Sequence, residues 1–322
     1  MARAFVFPGQ GSQVVGMGKD LADAFSAARL VFEEVDEALS SNLSRLMFEG
    51  PEDELTLTEN AQPALMSMSI AVLRVIEDEG GLKLPTVCQF VAGHSLGEYS
   101  ALAATGALPI DAAARVLRAR GAAMQRAVPV GEGAMAALLG MDLEDVRAVA
   151  EDAQHADAGV SGSPDGICAA ANDNAPGQVV ISGDRVAVER AVTLASERGA
   201  KRAIILDVSA PFHCPLMQPA ADEMSEVLEN VQFTPPVVPV ISNVSAGAES
   251  DPEIIRRLLV EQITKMVRWR ESVEYMRDHD VGTLIELGAG KVLTGLARRI
   301  DRDLVGMAVS SPEDVENILK SF

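Results

Sequence analysis

Ser95 is the residue of this chain whose surroundings suit it best to covalent chemistry. It lies in Gly93-His94-Ser95-Leu96-Gly97, a G-x-S-x-G pentapeptide that follows an apolar run at residues 87–92 and precedes a helical run at 98–105. A sharp strand-to-helix turn at such a site forces the serine into strained backbone geometry and holds its hydroxyl clear of the sheet. The N–H of the next residue, Leu96, then points at a developing oxyanion, helped by the helix N-terminus. A serine nucleophile needs a base, and strand-turn-helix serine enzymes carry theirs downstream. That leaves His155, His213 and His279. His155 ends a charged helix and His279 sits in Arg277-Asp278-His279-Asp280, both settings for a solvated side chain. His213, in Ser209-Ala210-Pro211-Phe212-His213-Cys214-Pro215, is held in a proline-stiffened loop after a strand and is the expected base. His94, beside the nucleophile, reads as structural.

Arg120 is the second informative residue. On a helix over residues 111–127 it falls inside the apolar arc, between Val116 and Met124, while Arg115, Arg118 and Arg126 fall outside it. A guanidinium there is costly unless paired. Two readings stay open: a salt bridge to a core carboxylate, or bidentate capture of a substrate carboxylate. The loop Pro8-Gly9-Gln10-Gly11-Ser12-Gln13 fails the dinucleotide fingerprint at Val14 and the Walker loop at Met17. It is either a glycine-rich turn or a loop that brings backbone or the Gln10 amide close to a substrate. The four histidines show no metal-binding spacing, so no metal is expected.

These residues need elements to position them. An apolar strand at 4–7, helical patterns at 20–40 and 62–79, and the strand at 87–92 indicate a parallel sheet covered on both faces. Residues 134–139, 142–154, 167–171, 178–182, 185–198 and 203–208 alternate as βαββαβ, the ferredoxin-like order. Strands at 237–241 and 283–287 can complete the main sheet. The expected fold is α/β: a parallel-sheet large domain from residues 1–130 and 209–322, with a ferredoxin-like small domain inserted at 131–208. The chain has 27 Lys and Arg against 47 Asp and Glu, a net charge of −20, which excludes a nucleic-acid footprint. Cys88, Cys168 and Cys214 are scattered, and the longest uncharged stretch, 230–248, contains Pro235, Pro236 and Pro239. A reduced cytoplasmic protein with no membrane span and no signal peptide is expected.

Several segments together resemble one family, the malonyl-CoA:acyl-carrier-protein transacylases of the discrete bacterial type. They are FVFPGQGSQ at 5–13, QPAL at 62–65, GHSLGEYSAL at 93–102 and RGAAMQ at 120–125. In order there follow 172–178 with its NAPGQ, PFH at 211–213, SNV at 242–244 and IELGAGKVLTGL at 285–296. The resemblance implies an α/β-hydrolase-like large domain, Ser95 as nucleophile and His213 as base. It implies an oxyanion hole from Gln10 and the Leu96 N–H, and Arg120 on the malonyl carboxylate. His213 would be oriented by the backbone carbonyl of Gln262 in place of a triad acid. Phe212, Gln62 and Asn172 would line the substrate, with Phe212 and Leu96 in the malonyl-selective pattern. The family usually has proline where Met266 stands and often where Ala289 stands.

The implied substrates are malonyl-CoA and phosphopantetheinylated acyl carrier protein, with no further cofactor and a monomeric enzyme. A motif set beginning at residue 5 is expected of a free-standing enzyme. Acyl carrier proteins of this kind are acidic, so docking on an acidic chain needs a local basic patch. Its candidates are Lys201, Arg202, Lys265, Arg268, Arg270, Arg298 and Arg299. A serine hydrolase and a silent binding module for acylated carrier protein are the rival readings.

Overall fold

A computed structural model describes residues 2–155 and 166–322. The chain opens with strand β1 (Ala2–Phe7), whose alternation sends Phe5 and Phe7 into one apolar cluster and Ala4 and Val6 into another. Over residues 4–7 both faces of β1 are therefore buried, as the apolar run there requires. Helices α1 (Lys19–Ala24), α2 (Ser26–Leu39), α3 (Leu43–Glu49), α4 (Glu52–Thr56) and α5 (Thr58–Gly80) follow. The single helix expected at 20–40 is two, because Phe25 adopts extended geometry (φ −127°, ψ 127°) and packs its ring on the core. A single turn, α6 (Leu84–Val87), uses Pro85 at its start, where the missing N–H costs nothing, so the strand expected from residue 87 begins at β2 (Phe90–Gly93). Helix α7 (Gly97–Ala104) then packs on β1 and β2, and α8 (Ile110–Ala127) packs on α5.

Residues 133–205 build a separate sheet: β3 (Gly133–Leu139), α9 (Leu143–Gln154), β4 (Cys168–Ala175), β5 (Gln178–Asp184), α10 (Arg185–Glu197) and β6 (Arg202–Ile205). Its four strands run in the order β4-β5-β3-β6, each antiparallel to its neighbours. Ala136, Leu138, Val149, Ile181 and Val188 belong to its own core cluster. The part of the expected small unit at 156–165 lies outside the described residues.

The chain returns through a 3-10 turn (Pro215–Met217), α11 (Gln218–Glu229), β7 (Val240–Ile241), β8 (Ala248–Glu249), α12 (Pro252–Thr264), α13 (Trp269–Asp278), β9 (Val281–Leu287), α14 (Val292–Ile300), β10 (Val305–Val309) and α15 (Pro312–Leu319). The main sheet has the order β10-β9-β1-β2-β7-β8, parallel except for the β7–β8 pair. The strand expected at 237–241 shrinks to Val240–Ile241, since Pro239 has no N–H to give and contributes only its carbonyl, to Val91. The edge strands β8 and β10 are additions, too short or too exposed to show an apolar run.

Two carbonyl-end features of this sheet set up the site. β1 and β2 are in register from Ala4–Phe90 to Phe7–Gly93, so the loop after β1 and the turn after β2 leave the sheet side by side. At the end of β9, the buried Glu286 carboxylate accepts the N–H groups of Leu293 (3.1 Å) and Thr294 (2.8 Å). It thereby anchors the start of α14 against the same cleft.

Candidate active site

Ser95 occupies the left-handed region at φ 54°, on the turn between β2 and α7. That conformation is unfavourable for a residue with a Cβ and survives only where the surroundings enforce it. Its glycines show how. A Cβ on Gly93 would stand 1.9 Å from the carbonyl carbon of Gly97, and one on Gly97 would stand 2.3 Å from the Phe7 carbonyl oxygen. Only bare backbone lets the turn close this tightly against β1. Asn243, after β7, fastens it: its Oδ1 accepts the Ser95 N–H at 2.7 Å and its Nδ2 donates to the Gly93 carbonyl at 2.7 Å.

His213, also in the left-handed region at φ 60°, brings Nε2 to 2.7 Å from Ser95 Oγ. Its Nδ1 lies 2.8 Å from the backbone carbonyl of Gln262. A carbonyl can only accept, so Nδ1 carries the proton and Nε2 presents its lone pair to the serine hydroxyl. Burial, and then the nearby Arg120 charge, push the imidazole pKa down to about 3, against the opposing effect of the hydrogen bond to the Gln262 carbonyl. The ring is thus neutral at physiological pH and available as a base.

Arg120 is 1% exposed and makes no ion pair among the described residues. Nη1 donates to Gln62 Oε1 at 2.9 Å, and Nη2 to Gln262 Oε1 at 2.9 Å and to Ser95 Oγ at 3.2 Å, while Nε has no partner. Gly121 explains the close approach of α8 to α5, because a Cβ there would meet the Thr58 carbonyl oxygen at 2.5 Å. Of the two readings left open by the sequence, the internal salt bridge is absent. A cation with spare donors stands beside the nucleophile, which suits a substrate carrying a carboxylate.

The cleft over Ser95 has a volume of ≈ 280 Å³ and is walled by both sheets: Gly9, Met135, Asn172, Phe212, Leu293 and Leu296 line it. Gln62 and Gln10 also face it. Neither the Leu96 N–H nor the Gln10 N–H donates to any acceptor among the described residues; the Gln10 side chain is exposed and reaches only Thr58 Oγ1, at 3.4 Å. His94 is held by Asn174 Oδ1 at 2.8 Å, in keeping with a structural role. His155 and His279 are exposed at helix ends, and His279 stacks on Tyr275.

Two residues at the heart of the site have no role in the sequence reading. Glu98, 2% exposed, accepts from Gln262 Nε2 at 2.7 Å and from the Asn243 N–H at 3.0 Å. Asn243 ties that carboxylate to the nucleophile turn. For Glu98 a signal exists: it is the only charged residue on a helix that otherwise reads Gly-Tyr-Ser-Ala-Leu-Ala-Ala. For Asn243 no signal beyond the motif match exists, since a loop asparagine has many ordinary uses.

The acyl transferase domain family model matches residues 4–315 of this chain. The malonyl CoA-acyl carrier protein transacylase of Bacillus subtilis is 49% identical over 319 residues, covering 99% of this chain and 96% of the relative. An acyl-carrier-protein S-malonyltransferase from Bartonella henselae superposes with a TM-score of 0.94 at 55% identity, covering 100% of this chain and 99% of that one. A malonyl-transacylase solved in complex with a type II PKS acyl-carrier protein gives 0.93 at 42% identity, with full coverage of both chains.

The neutral His213 can be tested directly. Its imidazole nitrogen signals, assigned by their loss in His213→Ala, should show the Nδ1-protonated tautomer unchanged from pH 8 to pH 5. A titration near the ordinary value of about 6.5 would contradict the buried, Arg120-facing geometry.

Proposed function

The chain belongs to the acyl transferase domain family, and from that premise we propose that the cleft over Ser95 is its malonyl-transfer site. The enzyme transfers the malonyl group of malonyl-CoA to the phosphopantetheine thiol of acyl carrier protein, supplying fatty-acid or polyketide synthesis. His213 Nε2 takes the Ser95 proton as Oγ attacks the thioester carbonyl, and the Gln10 and Leu96 N–H groups receive the oxyanion. The C–S bond breaks, coenzyme A leaves with that proton, and malonyl-serine remains. The carrier thiol then attacks the ester carbonyl, again with His213 as base, and Ser95 recovers its proton. This is ping-pong acyl transfer through a covalent intermediate.

The single observation that carries the reading is Arg120: a buried guanidinium, without an ion pair among the described residues, 3.2 Å from the nucleophile oxygen. Hydrolysis of a neutral ester has no use for it. Gln62 braces the guanidinium, Gln262 orients both it and His213, and Phe212 and Asn172 bound the acyl and pantetheine path. The chemistry calls for no metal and no cofactor beyond the thioester donor and the carrier's phosphopantetheine thiol. On this reading residues 1–130 and 209–322 are an α/β-hydrolase-like catalytic domain and 131–208 a ferredoxin-like insert, supported by the separate antiparallel sheet and its own core. The enzyme works as a cytoplasmic monomer; no helix among the described residues is long and apolar enough to cross a membrane.

For carrier docking, the basic candidates divide. Lys265 pairs with Glu261, Arg268 with Glu271, and Arg270 with Asp173 and Glu274, so their charges are committed. Lys201, Arg202 and Arg298 are exposed without ion pairs among the described residues, and Arg299 donates to Gln178, which lines the cleft. Gln178 lies opposite Leu139, and Leu139 opposite Arg202, so Lys201, Arg202 and Arg299 gather at one end of the small sheet. We assign the acidic carrier protein to that end.

Three measurements test the scheme. Mixed with malonyl-CoA alone and quenched in acid, the protein should gain one malonyl unit by intact mass, and Ser95→Ala should gain none; free CoA without an adduct would favour hydrolysis, and neither would favour a silent binder. Arg120→Ala should lower malonyl kcat/KM by roughly 100- to 1000-fold, the scale of losing two charge-assisted hydrogen bonds, and raise acetyl transfer relative to malonyl. An unchanged malonyl preference would remove Arg120 from the scheme. Reversing Lys201, Arg202 and Arg299 to Glu should raise KM for the carrier protein about tenfold while Ser95 acylation stays within about twofold. Equal loss of both would refute the docking assignment.

A further inference from the structure

Arg120 is compensated, but not by a direct partner. The Gln262 side-chain amide lies between it and the one carboxylate of the cluster. Its Oε1 accepts from Arg120 Nη2 at 2.9 Å, and its Nε2 donates to Glu98 Oε2 at 2.7 Å and to the Ser95 carbonyl at 3.1 Å. Each end of the amide dipole therefore faces the charge that suits it, and neither can flip without losing both contacts. Glu98 itself is pinned by the Asn243 N–H and sits in the first turn of α7, where a negative charge is favoured.

We infer that Glu98 is the resident counter-charge of Arg120, coupled to it through the Gln262 amide, and that it sets how tightly the site holds an acyl carboxylate. The physical basis is distance. A carboxylate in direct contact with the guanidinium would occupy the donors that substrate needs. One charge removed by an intervening amide still offsets the buried cation, yet it loses to a substrate carboxylate at bonding distance, because Coulomb attraction falls with separation. Glu98 touches neither substrate nor Ser95 Oγ, so it is a positioning residue. The inference rests on the malonyl reading given above.

Glu98→Gln tests it, since a glutamine oxygen can keep the Asn243 and Gln262 contacts while the charge is lost. At pH 8, KM for malonyl-CoA should fall about tenfold or more, the effect of removing one opposing charge a single amide away from the guanidinium at an effective dielectric of about 20. The turnover number should change by at most about twofold, and KM for acetyl-CoA, which has no carboxylate, should stay put. A purely structural role would instead raise KM or lower turnover for both thioesters, and that result would overturn the inference. Free malonate is the second probe: it should raise the melting temperature of Glu98→Gln more than that of the wild type, whose buried cation is already offset. Equal stabilisation would count against Glu98.

The wild type supplies a check that needs no variant. Burial pushes the Glu98 carboxyl up to about 7, so its charge is lost between pH 8 and pH 6. Arg120 from α8 and Tyr99 from α7 keep their charge states over that range, and His213 from the loop before α11 stays neutral. Malonyl-CoA KM should therefore fall relative to acetyl-CoA KM as the pH is lowered; parallel trends would overturn the inference. If the wild type forms no malonyl-Ser95 adduct, the proposed function fails and this inference with it. Adducts in wild type and variant with an unchanged malonyl KM would strike Glu98 alone.

Discussion

A guanidinium sealed from water must be offset, and here it must be offset without being used up. Much of the site follows from that constraint on Arg120. Desolvation works against its charge, yet five donors remain directed at polar neighbours or at nothing, and none meets a carboxylate among the described residues. Gln62 and Gln262 supply neutral oxygen acceptors, which stabilise the cation without cancelling it. The Tyr99 ring lies 5.5 Å from its carbon and adds an electron-rich face. The same positive field that would draw a substrate carboxylate also lowers the basicity of His213, so selectivity and base strength are tied through one charge. A bound carboxylate would relieve that depression at the moment the base is needed.

Gln262 concentrates this coupling in one residue. Its backbone carbonyl fixes the His213 tautomer, its amide oxygen braces Arg120, and its amide nitrogen reaches Glu98 and the Ser95 carbonyl. A triad aspartate would perform the first task but would bring a negative charge next to the base and within the field of Arg120. A backbone carbonyl orients the ring with a dipole only, leaving the carboxylate-binding potential of the pocket intact. The lack of a third acid is therefore consistent with a site built for an anionic acyl group.

Much of this was legible in the sequence because its signals are local. The G-x-S-x-G turn, the stiff Pro-Phe-His loop and an arginine on the wrong side of a helical wheel each declare themselves within a few residues. The four strands expected within residues 134–208 each have a counterpart in the second sheet, and β3, β4 and β5 carry buried residues while the edge strand β6 is largely exposed. What could not be read was long-range: Asn243 meets Ser95 across 148 positions and Gln262 meets Glu98 across 164, and no short pattern encodes such meetings. Boundaries moved where one residue overrode periodicity, as Phe25 did in the first long helix and Pro239 did in β7. The arginine's partner stayed undecided for the same reason, since a wheel reports which face is buried and not what waits there.

The two sheets contribute unequally to transfer as against hydrolysis. The elements around the main sheet carry Ser95, on the turn after β2, and Arg120, on α8, while His213 stands on the loop between β6 and α11. The small sheet supplies Met135 and Val180 to the opposite wall, with the side-chain amides of Asn172, Asn174 and Gln178 beside them. A malonyl-serine ester is exposed to attack by water unless that wall keeps the cleft dry until a thiol arrives. On the proposed docking, the carrier's pantetheine would enter along the same channel, past Gln178 and the basic end of the small sheet. The surface that would receive the acidic partner is thus continuous with the wall that excludes water, so docking and shielding need not be separate events.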